Sequence, residues 1–278
     1  SEIVIQGWED HPEGRKLELA AYDSMSIKPG SAVNNEMVAK DLNSIYASGW
    51  FSGVQIKFDE GPLGVKLIVT IVPNPILQEV QINPDSTIIP FDYINQIFNE
   101  YYGMTLNLNE LQERINIIQM WYEEQGYSLT RVNSPERISG DGIVQLRIDE
   151  GLVSDVELKF IGPDEKIRDG KTKEWVIRRE LQTVSGAAFN RITLENDIKR
   201  LYATSLFNDI KVSLGPDADN PGQVIVMLDI SEQRTGSLTG GIGFSNSAGI
   251  FAQMGLQESN TFGRSWSTSM NISFGAHS

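Results

Sequence analysis

The 278-residue chain contains no cysteine. Disulfide frameworks, zinc–thiolate sites and cysteine nucleophiles are excluded together. Only two histidines exist, His11 and His277, near opposite ends. A histidine-based triad or a multi-histidine metal site would have to bring them together, so no catalytic residue, cofactor or metal site is expected. Basic residues are scarce: 23 Lys and Arg stand against 37 Asp and Glu, a formal net charge of −14. Phosphate backbones need a basic face, which argues against nucleic acid as a partner. An anionic membrane surface is disfavoured for the same reason. No apolar run reaches the ~20 residues of a membrane-spanning helix. The chain starts Ser-Glu-Ile-Val, without a charged and then apolar leader. That start carries no information about secretion.

What is present is repetition. One frame recurs three times: Gly, two residues, an apolar residue, Asn, three residues, an apolar residue. It reads Gly30, Val33, Asn34, Val38; then Gly103, Leu106, Asn107, Leu111; then Gly186, Phe189, Asn190, Leu194. The frame predicts a helix start, with Asn accepting a hydrogen bond from an otherwise orphan N–H. Apolar stripes at helical spacing follow: Val38, Leu42, Ile45 and Tyr46; Leu111, Ile115, Ile118 and Tyr122; Leu194, Ile198, Leu201 and Tyr202. The stops also correspond. Gly49 and Gly126 suit the left-handed residue after a helix, whereas Ser205 stands there in the third copy, so that cap is expected to differ. The middle helix is four residues longer, about one turn, which preserves the facing of its stripe.

Two strands follow each helix: Val54–Phe58 and Val65–Val72, Leu129–Val132 and Ile143–Asp149, Ile210–Leu214 and Gln223–Ile230. A strand and a helix-like segment precede each one. The strands are Ile3–Gln6, Glu79–Ile82 and Val153–Ile161. The segments are Glu18–Ser26, Phe91–Glu100 and Lys173–Thr183. The expected unit is therefore β-α-α-β-β, an α+β layer with two helices on one face of a three-stranded sheet. The expected domains are residues 1–74, 75–151 and 152–233, joined by short connections into an elongated array. Pro73 and Pro75 should stiffen the first joint.

Residues 234–278 differ in kind. Their formal charges are Arg234, Arg264 and Glu258; this net +1 leaves −15 to the residues before them. Apolar and small polar residues alternate along Leu238–Phe244, Ile250–Leu256 and Trp266–Phe274, with a tight turn expected at Asn246–Gly249. Such strands suit a transmembrane β-barrel or an ordinary soluble meander. Three strands cannot close a barrel, so on the first reading the barrel continues past Ser278.

The ordered set resembles the POTRA-domain outer-membrane assembly proteins, the BamA-like superfamily, most closely its cyanobacterial and chloroplast import-channel branch. The junction Gly49-Trp50-Phe51-Ser52-Gly53-Val54, the run Leu206-Phe207-Asn208-Asp209-Ile210 and the end Glu150-Gly151 carry the likeness, with Glu258-Ser259-Asn260-Thr261-Phe262-Gly263 similar to an early barrel hairpin. The first copy departs by ending Val72-Pro73-Asn74-Pro75, and the second lacks an aromatic after Gly126-Tyr127. The resemblance implies domains in the periplasm, or an equivalent intermembrane face, tied to the outer membrane by the barrel. It implies unfolded barrel precursors and accessory assembly proteins as partners. By the same resemblance, the charged stretch Asp164–Lys173 lies nearest the barrel mouth.

With the last strand central, the second strand of each unit is a sheet edge able to accept an extended chain. The candidate edges are Val54, Gln55, Ile56, Lys57 and Phe58; Leu129, Thr130, Arg131 and Val132; and Ile210, Lys211, Val212, Ser213 and Leu214. Trp50, Phe51, Tyr127 and Phe207 are expected as core plugs rather than ligand contacts. Asp217–Gly222 reads as a hairpin turn, and a calcium loop is disfavoured because it lacks a terminal bidentate Glu. Adjacent Glu123 and Glu124 point apart on a helix and read as a solvated face. Two other classes stay open. One is a transporter of a single dedicated secreted protein. The other is a soluble α+β enzyme, against which the scarcity of His and absence of Cys weigh.

Overall fold

A computed structural model describes residues 1–62, 64–246 and 249–275. His277 and part of the expected Asn246–Gly249 turn lie outside them. The chain forms two compact units, Ser1–Tyr122 with Arg131–Asp149, and Glu123–Thr130 with Glu150–Ser278.

In the first unit the order is β1 (Glu2–Gln6), α1 (Gly14–Ser24), α2 (Asn35–Ala47), β2 (Phe51–Gly61) and β3 (Gly64–Pro73), then β4 (Glu79–Ile82), α3 (Phe91–Phe98), α4 (Leu108–Glu124), β5 (Arg131–Asn133) and β6 (Ile143–Asp149). The sheets are ordered β1-β3-β2 and β4-β6-β5. In each, the last strand is central, parallel to the first and antiparallel to the second. Leu67, Val69 and Ile71 of β3 pack with Leu17, Ala21, Val38 and Ile45 of the helices, all buried. Each buried Leu, Ile or Val among them stabilises by about 1.5–3 kcal/mol.

The second unit holds β7 (Val153–Ile161), β8 (Ile167–Arg168), α5 (Glu174–Arg178), α6 (Arg191–Ala203), β9 (Phe207–Pro216) and β10 (Val224–Glu232), with sheet order β8-β7-β10-β9. A meander follows: β11 (Gly236–Ser245), β12 (Gly249–Thr261) and β13 (Trp266–Gly275). The two-residue β8 falls within the stretch expected as a charged loop, and it extends the third sheet by one strand.

The Asn frame does what its spacing implies. Asn34 Oδ1 accepts from Met37 N at 2.8 Å, Asn107 Oδ1 from Asn109 N at 2.9 Å, and Asn190 Oδ1 from Thr193 N at 3.1 Å. Asn107 and Asn190 also use their amide N–H groups. Asn107 Nδ2 donates to Ser48 O, the C-terminal cap of α2, and Asn190 Nδ2 donates to Gln125 O, each at 2.9 Å. The next backbone N–H repeats the tie: Leu108 N donates to Gly49 O at 2.9 Å and Arg191 N to Gly126 O at 2.8 Å.

Glycine is required at 49 and 126 twice over. Both have positive φ, and a Cβ on either would lie 2.6 Å from the capping Asn Oδ1. Ser205 corrects the expectation that the third cap differs. Its φ is 57°, the same left-handed conformation, reached without glycine. The first joint is further fixed by buried Asn74. Its Nδ2 donates to Gly49 O at 2.9 Å and Leu106 O at 3.0 Å, and its carbonyl accepts from His11 Nε2 at 3.0 Å.

Two of the stripes are rotated from their expected facing. Tyr46 and Tyr202 are exposed, and buried Asp41 and Asp197 take a place in the stripe beside Val38, Ile45, Leu194 and Leu201. Asp41, with no exposed surface, accepts from Ser26 N at 2.8 Å, Ser26 Oγ at 2.6 Å and Ile27 N at 2.9 Å. Asp197, equally buried, accepts from Gln182 N at 2.9 Å and Thr183 N at 2.8 Å, and pairs with Arg200. Each carboxylate thus holds the loop between the two helices. Helix α4 keeps the expected facing, with Leu111, Ile115, Ile118 and Tyr122 buried.

Candidate functional site

All three candidate second strands are sheet edges. Val54–Phe58 lies within β2 and Ile210–Leu214 within β9. The middle edge needs correction: Leu129 and Thr130 precede β5, which covers only Arg131–Asn133. The reason is local bonding. Thr130 N turns back to Tyr127 O at 3.2 Å, and buried Thr130 directs its hydroxyl to Glu150 O at 3.1 Å.

Antiparallel register decides which edge groups are available, because opposed residues alternate between facing the partner strand and facing away. In β2 the key pair is Val54 opposite Ile71. The Ile71 carbonyl is aimed at Gly7, where an added Cβ would meet it at 2.1 Å, so this pair points away from the β2–β3 seam. Val54, Ile56, Phe58 and Glu60 therefore turn their N–H and C=O groups outward. In β9, Ile210 opposite Ile230 fills the same role, as do Val212 and Leu214. Gln55, Lys57, Lys211 and Ser213 have the other parity, with backbone groups toward the sheet and exposed side chains.

The outward residues carry their side chains on the helix-covered face, opposite buried Leu67, Val69 and Ile71 or Val226, Leu228 and Ile230. Val54 and Ile210 are buried, while Phe58, Val212 and Leu214 are exposed; Phe58 reaches 47%. Each long edge thus runs from the core into a protruding apolar row beside outward-facing backbone.

Phe51 and Phe207 are buried plugs as expected. Trp50 and Tyr127 are only half-buried, a correction to the same expectation. Trp50 still packs against the core of the first sheet, and Lys16 lies over its ring with Nζ 4.8 Å from the centroid. Asp217 is occupied by its own turn, accepting from Asp219 N at 2.9 Å and Asn220 Nδ2 at 2.8 Å; these bonds hold its carboxyl below the usual range.

The meander has two unlike faces. Leu238, Ile242, Phe244, Ile250, Met254, Leu256, Met270 and Phe274 share one face through the register, and all are exposed, Ile242 by 84%. Thr239, Gly241, Gln253, Gly255 and Asn271 lie on the other, where Phe251 covers Gly243. Among the described residues no helix is long and apolar enough to cross a membrane, which says nothing of strands.

Sequence reasoning missed how the third sheet is tied to this meander. The end of the charged stretch bonds to the last part of β12 and to the turn that follows it. Lys171 Nζ donates to Glu258 Oε2 at 2.9 Å, Asn260 Nδ2 to Thr172 Oγ1 at 2.9 Å, and Lys173 N to Gly263 O at 2.9 Å. Glu232 accepts from Thr172 N at 2.6 Å and Lys171 N at 2.9 Å. Asn260, near the end of β12, is buried although most of that strand is exposed or half-buried. No spacing in the sequence links residues this far apart.

Residues 76–151 match the model of the POTRA domain, ShlB-type. The N-terminal domain of Omp85 from the thermophilic cyanobacterium Thermosynechococcus elongatus is 34% identical, with a TM-score of 0.76 over 84% of this chain and 97% of that one. The chain belongs to the Omp85 family. Domains POTRA1–3 of the periplasmic part of Omp85 from Anabaena are 32% identical, with a TM-score of 0.72 over 84% of this chain and 95% of that one. The chloroplastic outer envelope protein 80 of Oryza sativa subsp. japonica is 24% identical over 99% of this chain. The chain spans 42% of that relative's length. The outer membrane protein assembly factor BamA of Nitratidesulfovibrio vulgaris is 27% identical over 63% of this Omp85 chain and 21% of its own length.

Proposed function

We propose that this Omp85 chain is the receiving segment of an outer-membrane assembly or translocation factor. Its three β-α-α-β-β segments are tandem POTRA domains, residues 1–74, 75–151 and 152–233, and residues 234–278 are the first strands of a membrane barrel. They take up unfolded barrel precursors by β-augmentation at an aqueous face of the membrane and pass them toward the barrel, without enzymatic chemistry. The observation carrying this reading is the outward backbone of Ile56 and Phe58, and of Val212 and Leu214, beside exposed apolar side chains. Main-chain bonding gives affinity that tolerates many sequences, as varied precursors require. The apolar face of β11–β13 suits lipid, and the small polar face suits a barrel interior. The net negative charge of the preceding segments keeps their surface soluble and unreactive toward acidic lipid.

The test is a titration of the 278-residue chain with the peptide Trp266–Gly275, an alternating strand from its own meander. Saturable binding that is lost for a peptide of the same composition with alternation scrambled is the expected result. Absence of binding would overturn the reading.

A second reading is favoured by the ShlB-type match at residues 76–151: a transporter for one dedicated secreted protein. It requires one cognate chain to bind far more tightly than generic barrel strands, and competition between the two decides.

A further inference from the structure

The three edges share a topology but differ in what already occupies them. In β5 the one outward residue is Val132, and its N–H donates to Gln119 Oε1 of α4 at 3.1 Å. That strand is only three residues long, so its edge is spent. In β9 the first outward N–H, that of Ile210, donates to the Tyr202 hydroxyl of α6 at 2.9 Å. Pro216, at the far end, falls on an outward position and has no N–H. Val212 and Leu214 remain between these two stops. In β2 the outward groups of Val54, Ile56, Phe58 and Glu60 have no side-chain partner among the described residues, and the strand runs 11 residues. Natural sheets blunt edges with proline, short strands and covering side chains. Here β5 and β9 are stopped in these ways, whereas β2 carries only the charges of Lys57, Asp59 and Glu60.

We infer that β2 is the primary strand-accepting edge, that Tyr202 confines the β9 edge to Val212 and Leu214, and that Gln119 closes β5. This deepens the proposed function and rests on it. The occupant is an extended segment with apolar residues at alternate positions. A strand laid on β2 sets every second side chain beside Ile56 and Phe58, and only apolar ones cover the exposed Phe58 ring. The strands of the meander have this pattern, which is why Trp266–Gly275 serves as the probe.

The experiment is residue-resolved hydrogen exchange on the 278-residue chain, with and without saturating Trp266–Gly275 peptide. The Ile56 and Phe58 amides should slow by at least about tenfold, Val212 and Leu214 by less, and Val132 and Ile210 not at all. Ile56→Pro removes an outward donor without touching a bond to β3, and should abolish protection on β2 while leaving that on β9. Tyr202→Phe should extend protection to Ile210. If the peptide binds but protects Val212 and Leu214 more than Ile56 and Phe58, or protects Val132, the ranking is wrong although strand acceptance stands. If it protects no edge amide, strand acceptance itself fails.

Discussion

The middle segment and its two neighbours solve one problem differently. Seven residues after the capping Asn, α2 and α6 place Asp41 and Asp197, each buried and holding the loop between its two helices. Helix α4 places Arg114 there. Its guanidinium lies 5.0 Å from the Tyr101 ring centroid, and its buried Nε has no hydrogen-bond partner among the described residues. A shared fold therefore does not enforce a shared anchor. Where that carboxylate is present, it ties the interhelical loop from the second helix; where it is absent, the loop is tied from outside the helix pair, Gly103 N donating to Leu77 O and Leu106 N to Pro75 O, each at 2.9 Å, and Thr105 N to Glu13 Oε2 at 2.7 Å. The same middle segment has the longest second helix and the shortest edge strand.

This contrast can be broken most strongly at the carboxylates. Asp41→Ala and Asp197→Ala each strand buried loop N–H groups, and Asp197→Ala also leaves Arg200 without its pair. Each should cost about 3–5 kcal/mol in urea unfolding, whereas Arg114→Ala, which removes an unpartnered buried nitrogen, should cost about 1 kcal/mol. Equal losses at all three would show that the anchors are equivalent after all.

The next effect separates the helix stops. Gly49→Ala and Gly126→Ala face both left-handed strain and the nearby Asn oxygen, and should destabilise by about 2–3 kcal/mol. Ser205→Gly should stabilise by about 1 kcal/mol, because only strain is relieved there. The opposite signs are the informative outcome, read from thermal melts.

The smallest effect concerns the joint between the first and second segments. Glu13 accepts from Thr105 N at 2.7 Å and from the Thr105 hydroxyl, and these bonds hold its carboxyl below its ordinary value of 4.5. A depressed folded pKa contributes stability that is present above pH 4.5 and is lost as pH falls through the folded value. Glu13→Gln should therefore lower stability slightly near neutrality and flatten its acid dependence. A wild-type acid profile unchanged by the substitution would remove Glu13 from the joint.

Much of this architecture was legible in sequence because it rests on local chemistry. An Asn before an apolar stripe marks a helix start wherever it occurs, and the frame at Asn34, Asn107 and Asn190 located three helices. Alternation marked the strands, and β4, β6 and β7 fall at their expected bounds. What failed was set by tertiary bonds. The expected helix Lys173–Thr183 is only Glu174–Arg178, because Asp197 claims the N–H groups of Gln182 and Thr183 and Arg200 Nε donates to Glu180 O at 2.8 Å. Asp41 and Asp197 carry no mark in the sequence beyond their shared distance of seven residues from the capping Asn34 and Asn190. At the edges, sequence located the second strands but not Gln119 or Tyr202, whose roles depend on where a neighbouring helix turn lies.

The inequality of the edges is tested most directly by amide exchange in the chain without any ligand. Val132 and Ile210, bonded to Gln119 and Tyr202, should exchange at least about tenfold more slowly than Ile56, Phe58, Val212 and Leu214. Val132 and Ile210 exchanging as fast as Ile56 would contradict the account, since the side chains said to close those edges would then not be holding them.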